Sequence, residues 1–172
     1  MPTDEALLEL AERVGRLLLA TRRRLATAES CTGGWISKAV TDVPDSSNWF
    51  ECGYVVYSNA AKVRDLGVSE RTLQSHGAVS EPVVREMAAG ALRVSGAEVA
   101  VSVSGIAGPR GGTPEKPVGT VWFGLAVRDG ESLQLMARLE QFPGDRESIR
   151  RRTVEYALQL VLGLEQPGAR RA

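Results

Sequence analysis

The sequence predicts an α/β domain, a three-layer α/β/α sandwich with a mixed sheet and one antiparallel terminal hairpin. Segments with the apolar spacing of helices alternate with short strand-like runs along most of the chain. The β-branched run at 99–104 indicates a strand buried on both faces. Two further strands, at 120–128 and 133–142, flank Asp129 and Gly130, which is typical of a tight antiparallel turn.

The remaining elements follow from periodicity, capping residues and turn residues. We expect helices from Thr3 or Asp4 to about 22, at 35–40, after Ser58, at 69–75, at 80–96 and from about 146 to 164. Earlier strands are expected at 25–27 and 49–57. Residues 105–119 contain five glycines and three prolines, and a loop this long inside a domain is usually functional. We expect one domain over 1–165 and a disordered tail over 166–172.

Composition excludes several classes of protein. The 172 residues are 43% hydrophobic and carry a net charge of zero, so we expect no nucleic-acid partner. The first twenty residues include four acidic side chains, which argues against a signal peptide or a membrane span. Cys31 and Cys52 form no CxxC pair, and we interpret them as reduced thiols of a cytoplasmic protein.

The single histidine limits the chemistry further. A His-rich zinc site cannot be built within one chain, and a Ser-His-Asp triad could use only His76. We expect His76 at a helix C-terminus, where its charge is favourable without any catalytic role. The candidate nucleophiles are then hydroxyls or the Cys31 thiol, and we favour a packing role for Cys31.

The segment at 28–34 (AESCTGG) connects a strand directly to a helix. Gly33 and Gly34 allow the backbone to approach a ligand, and Ser30 and Thr32 add hydroxyls. Three interpretations remain open from the residues alone: an anion cradle, a nucleophile turn, or a well-capped helix.

Polar loops follow three predicted strands, at Ser30, Ser58 and Gly105, and they could converge on one pocket. Lys62 lies just after the second of these strands, and a buried lysine can serve as a base. An ordinary exposed lysine is the alternative. Arg146 could clamp a carboxylate or phosphate, or form a surface salt bridge with a neighbouring acidic residue.

Seven short motifs, in order over about residues 5–164, resemble the CinA carboxy-terminal domain family. That family includes stand-alone nicotinamide mononucleotide (NMN) deamidases of the PncC type. The motifs are TAESCTGG at 27–34, SS with WF at 46–50, VYSN with Lys62 at 56–62, HGAVS at 76–80, SGIAGP at 104–109, PVGTV at 117–121 and FPGDR at 142–146.

The resemblance implies an amidohydrolase that converts NMN and water to nicotinate mononucleotide and ammonia, without a metal or other cofactor. It implies Ser47 as the nucleophile, Lys62 as the general base and Tyr57 as a proton relay, with Ser30 as the alternative nucleophile. The implied substrate-binding residues are Ser30, Thr32, Gly33, Gly34, Ser104, Gly105 and Arg146. Backbone amides near Gly33 and Gly34, or near Gly105, would stabilise an oxyanion.

The family also includes competence- or damage-inducible proteins, so a non-catalytic nucleotide-binding protein is the alternative function. The resemblance implies a homo-oligomer. Trp35, Trp49 and Trp122 could serve either an interface or the core. We expect no membrane partner.

Overall fold

The structure, a computed structural model, describes residues 1–165 and forms the predicted α/β sandwich. The predicted tail at 166–172 lies outside the described residues. The helices are α1 (Asp4–Thr21), α2 (Trp35–Thr41), α3 (Asn59–Leu66), α4 (Glu70–His76), α5 (Glu81–Ser95) and α6 (Arg146–Leu162). The strands are β1 (Leu25–Glu29), β2 (Phe50–Val55), β3 (Val99–Gly105), β4 (Thr120–Asp129) and β5 (Ser132–Gln141).

The five strands form one mixed sheet in the order β2-β1-β3-β4-β5. β1 pairs in parallel with both β2 and β3, so the carboxyl ends of these three strands meet at one edge of the sheet. β4 runs antiparallel to β3, and β5 runs antiparallel to β4, which confirms the predicted hairpin. The predicted strand at 25–27 is longer in the structure, because Ala28 and Glu29 continue it before the turn begins.

Two apolar layers cover the two faces of the sheet. One face packs against α1, α2 and α6, and the other packs mainly against α5 with α3 and α4 beside it. Trp49 lies in the first layer and is only 2% exposed, so it belongs to the core. Among residues 1–165, no helix combines the length and the apolar composition that crossing a bilayer requires.

Capping explains where several helices begin. The side chains of Thr3, Ser58, Ser69 and Asp145 each accept a hydrogen bond from an amide in the first turn of the helix that follows. Ser80 does not cap α5 in this way, because its hydroxyl donates to the Gly77 carbonyl instead. The cap at Ser58 matters most for function, since α3 carries Lys62.

A close helix contact fixes the position of α3. A Cβ built on Gly90 of α5 would overlap the backbone carbonyl of Leu66, the last residue of α3. We therefore expect Gly90→Ala to lower the free energy of unfolding by about 1–3 kcal/mol, because overpacking outweighs the helix preference of alanine. Urea denaturation measures this difference.

Gly163→Ala is the matched control. Gly163 has a helical φ of −58° and open space around its Cα, so alanine should be neutral or slightly stabilising there. Equal effects at the two glycines would contradict the close contact.

Candidate active site

The carboxyl edge of the parallel strands brings Ser30 and Lys62 together. Ser30 follows β1, and its amide donates to the Val103 carbonyl of β3. The Nζ of Lys62, from the helix after β2, lies 3.1 Å from Ser30 Oγ. Ser30 is 9% exposed and Lys62 is 1% exposed. The segments that follow β1 and β2 therefore meet at this edge, beside β3.

The surroundings of Lys62 make its neutral form more accessible than that of an exposed lysine. Its Nζ donates to the carbonyls of Val56 at 2.8 Å and Tyr57 at 3.1 Å. Burial lowers the pKa of Lys62 from 10.5 to about 8. A neutral amine keeps two N–H groups and one lone pair. Two carbonyls accept the two N–H groups, which leaves the lone pair for the hydroxyl proton of Ser30.

Ser47 is not at this edge, and the structure does not bring Ser47 and Lys62 together as expected. Ser47 is exposed in a 3-10 turn, Ser46–Asn48, that precedes β2, and its carbonyl accepts a hydrogen bond from Arg24. Lys62 lies beyond the other end of the same strand. At about 3.3 Å per residue, β2 separates the two by roughly 17–20 Å.

Tyr57 contacts Lys62 through its backbone carbonyl rather than its phenol. Its side chain is 63% exposed, and within residues 1–165 its hydroxyl forms no hydrogen bond with Ser30 or Lys62. The expected proton relay through the Tyr57 hydroxyl is therefore not formed in this structure.

Glu29 occupies the start of α2 that the sequence suggested for an external anion. Its carboxylate is fully buried and accepts hydrogen bonds from the amides of Gly34, Ile36 and Ser37. The hydroxyl of Thr32 also donates to it, at 2.7 Å. The helix start is thus neutralised from within the chain, and the Thr32 hydroxyl faces Glu29 rather than the surface.

Gly33 and Gly34 shape the turn but do not offer free amides. Their φ values of +62° and +95° belong to the left-handed region that favours glycine. The Gly33 amide donates to the Ser30 carbonyl, and the Gly34 amide donates to Glu29. Neither amide matches the expected oxyanion donor in this structure.

The other residues expected to bind substrate already have partners within the chain. The buried Ser104 hydroxyl donates to the Ala78 carbonyl at 2.8 Å. Gly105 pairs with Val121 in the sheet, where a Cβ would collide with that neighbour. Arg146 is exposed and donates to the Gly108 carbonyl at 2.7 Å, so it supports the loop at 106–119.

Cys31 and His76 have the structural positions that the sequence favours. Cys31 is packed into the apolar core, and burial raises the pKa of its thiol to about 12. A thiol with that pKa is a poor nucleophile near neutral pH. His76 is the last residue of α4 and is exposed.

Two residues of the site were not identified from the sequence. Glu29 is the only charged residue of the buried strand β1, and that contrast is the signal that could have identified it. Arg150 donates to the Cys31 carbonyl at 3.1 Å and to the Thr32 carbonyl at 2.6 Å. Its only sequence signal is the spacing of four from Arg146, which places both on one side of a helix.

Burial of Lys62 predicts a characteristic dependence of stability on pH. Its pKa is about 8 in the native state and 10.5 when unfolded, so between these values the unfolded state binds more protons and stability rises with pH. From pH 7.5 to pH 10, we expect wild type to gain about 2–3 kcal/mol in unfolding free energy relative to Lys62→Met. Urea denaturation at each pH measures the gain.

Lys38→Met is the control, because it removes an exposed lysine and leaves Lys62 in place. Its stability should keep the wild-type rise with pH. Parallel curves for wild type and Lys62→Met would contradict a depressed pKa for Lys62.

Known proteins share both this sequence and this fold. The family model described as the CinA C-terminal domain matches residues 7–164. A protein of Escherichia coli (strain K12) named nicotinamide-nucleotide amidohydrolase PncC is 57% identical over 157 residues, which cover 91% of this chain and 93% of that protein. A CinA-like protein of Chlorobaculum tepidum is 52% identical over 162 residues, 93% of this chain but 38% of that longer protein.

The structural similarity is equally extensive. The crystal structure of the competence/damage inducible protein CihA from Agrobacterium tumefaciens aligns with a TM-score of 0.87 at 41% identity, over 96% of this chain and 98% of that one. Sequence and fold thus lead to the same conclusion: the chain belongs to the CinA C-terminal domain family.

Proposed function

We propose that this protein is a nicotinamide-nucleotide amidohydrolase that converts NMN to nicotinate mononucleotide and ammonia with a Ser30–Lys62 pair. The observation that carries the proposal is the 3.1 Å contact between Lys62 Nζ and Ser30 Oγ at a buried edge of the sheet. The substrate class comes from the name of the Escherichia coli relative, which is 57% identical over nearly its whole length.

The proposed reaction begins with proton transfer from Ser30 to neutral Lys62. Ser30 Oγ attacks the carboxamide carbon and forms a tetrahedral intermediate. The Lys62 ammonium then returns its proton to the departing nitrogen, which leaves as ammonia and gives an ester on Ser30. Water attacks the ester with Lys62 again accepting a proton, and that proton returns to Ser30 Oγ as the carboxylic acid product leaves and loses its own proton to solvent.

Ser30 replaces Ser47 as the proposed nucleophile for a geometric reason. A general base must lie within hydrogen-bond distance of the proton that it removes, and Lys62 meets that condition at Ser30 alone of the two serines. In place of the expected proton relay we assign Tyr57 a substrate contact, because its ring is exposed and its carbonyl binds Lys62, and an aromatic face attracts a cation such as the pyridinium ring of NMN.

Three variants test the nucleophile and the base. We expect Ser30→Ala and Lys62→Met each to lower kcat for ammonia release from NMN by at least about 1,000-fold, since each removes a member of the covalent mechanism. Ser47→Ala is the matched control and should keep wild-type activity. Ammonia release and nicotinate mononucleotide formation are both measured.

Other outcomes separate the alternatives. Loss of activity in Ser47→Ala with activity kept in Ser30→Ala would restore Ser47 as the nucleophile. Tight binding of NMN by wild type, with no product over hours, would favour the non-catalytic nucleotide-binding function.

The dependence of rate on pH provides an independent prediction. The reactive form of Lys62 is neutral, and with a pKa of about 8 only about a tenth of it is neutral at pH 7. We therefore expect kcat/KM to rise about tenfold per pH unit below pH 8 and to level off above it. A profile that is flat from pH 6 to pH 9 would argue against Lys62 as the base.

A further inference from the structure

The turn at 30–34 is held by charged side chains on two sides. Glu29 accepts hydrogen bonds from the Thr32 hydroxyl and the Gly34 amide. From α6, Arg150 donates to two consecutive carbonyls of the turn, those of Cys31 and Thr32. A guanidinium with two parallel donors fixes both peptide planes more firmly than a single donor would.

In the part of the chain that the structure describes, two backbone amides of this turn donate to no other residue. The Ser30 amide donates to Val103, the Gly33 amide to the Ser30 carbonyl and the Gly34 amide to Glu29. Within residues 1–165, the amides of Cys31 and Thr32 donate to no other residue. Cys31 is 6% exposed and Thr32 is fully buried, and a buried amide without a partner is rare in folded proteins.

Arg150 sets the direction of both free amides. In a trans peptide the N–H points opposite to the carbonyl of the preceding residue. The bond from Arg150 to the Cys31 carbonyl therefore fixes the direction of the Thr32 N–H. The bond from Arg150 to the Thr32 carbonyl fixes the direction of the Gly33 N–H. The Gly33 N–H donates to the Ser30 carbonyl, and the orientation of that carbonyl sets the direction of the Cys31 N–H.

We propose that the amides of Cys31 and Thr32 form the oxyanion hole and that Arg150 is the positioning residue that aims them; this inference rests on the proposed function. The Cys31 nitrogen is bonded to the carbonyl carbon of Ser30, so it lies within about 4 Å of the attacking oxygen. When Ser30 attacks the carboxamide, negative charge develops on the former carbonyl oxygen, and these two amides beside Ser30 in the chain are the donors proposed to stabilise it.

A competing role for Arg150 is direct binding of the substrate phosphate. Arg150 lies on a surface cavity of about 320 Å³ beside Gly33 and Lys38, and its guanidinium stacks 5.0 Å from the Trp35 ring. Two of its nitrogens are already committed to carbonyls of the turn, which favours the positioning role. Loss of a phosphate contact would raise KM, whereas loss of the positioning role would lower kcat.

The test compares Arg150→Gln and Arg150→Lys with Arg151→Gln, using NMN as the substrate. Arg151 is the matched control, because it stacks on the same Trp35 ring at 4.9 Å but binds Asp4 and Glu147 instead of the turn. We expect Arg150→Gln to lower kcat about 100-fold with KM changed less than twofold, as for loss of an oxyanion donor. Arg150→Lys should recover about tenfold of that loss, and Arg151→Gln should keep the wild-type kcat.

Several results would overturn the inference. A raised KM with kcat retained in Arg150→Gln would assign Arg150 to the phosphate, and an equal loss in Arg151→Gln would assign the effect to the helix surface. The rise of kcat/KM with pH should be unchanged in Arg150→Lys, and a shifted profile would mean that Arg150 acts on Lys62 instead.

The controls keep the two proposals separate. Thermal unfolding checks that each variant is folded. If Arg150→Gln is not folded, the kcat and KM of Arg150→Lys test the positioning role. Wild-type protein that releases no ammonia from NMN would refute the proposed function itself. Active wild type with fully active Arg150 variants would refute only the positioning role.

Discussion

The hydrogen bonds of the buried Glu29 carboxylate are the constraint on which the site depends. A carboxylate without exposure to water is costly unless its oxygens are supplied with donors. Glu29 accepts six hydrogen bonds, three from backbone amides of the turn and α2 and three from hydroxyls of Thr27, Thr32 and Ser37. These bonds tie the end of β1 to the start of α2, so the chain between them has one path, and that path presents Ser30 to Lys62.

Lys62 is also a buried ionisable group, but its charge is compensated less well than that of Glu29. Within residues 1–165 it forms no salt bridge, and its Nζ contacts only two carbonyls and a hydroxyl. Carbonyl dipoles compensate less for lost hydration than a carboxylate would, so the charged form is disfavoured and the pKa falls to about 8. Stability at neutral pH is thus lost, and in exchange about a tenth of the amine is neutral at pH 7 and can act as a base.

The elements of the fold follow from local sequence patterns, but the site depends on contacts between distant residues. Periodicity and capping residues were sufficient to predict the helices and the hairpin, and the loop positions indicated Lys62. The family resemblance implied Ser47 rather than Ser30, but the direction of β2 places Ser47 before the strand and Lys62 after it. In a parallel sheet, a serine before β2 and a lysine after it lie at opposite edges. Arg150 could not be assigned, since it is more than a hundred residues from the turn that it holds.

The last helix has a role in the site that its position at the surface of the fold does not suggest. Arg146 and Arg150 are one helical turn apart on α6, and they bind the Gly108 carbonyl and the turn at 30–34, respectively. One element therefore supports both the turn that carries Ser30 and the loop at 106–119. The sheet determines which strand ends converge, and α6, packed against α1 and α2, determines how the peptide groups at those ends are oriented. The proposed chemistry requires both, because a correctly placed hydroxyl without aligned amides would form an oxyanion that nothing stabilises.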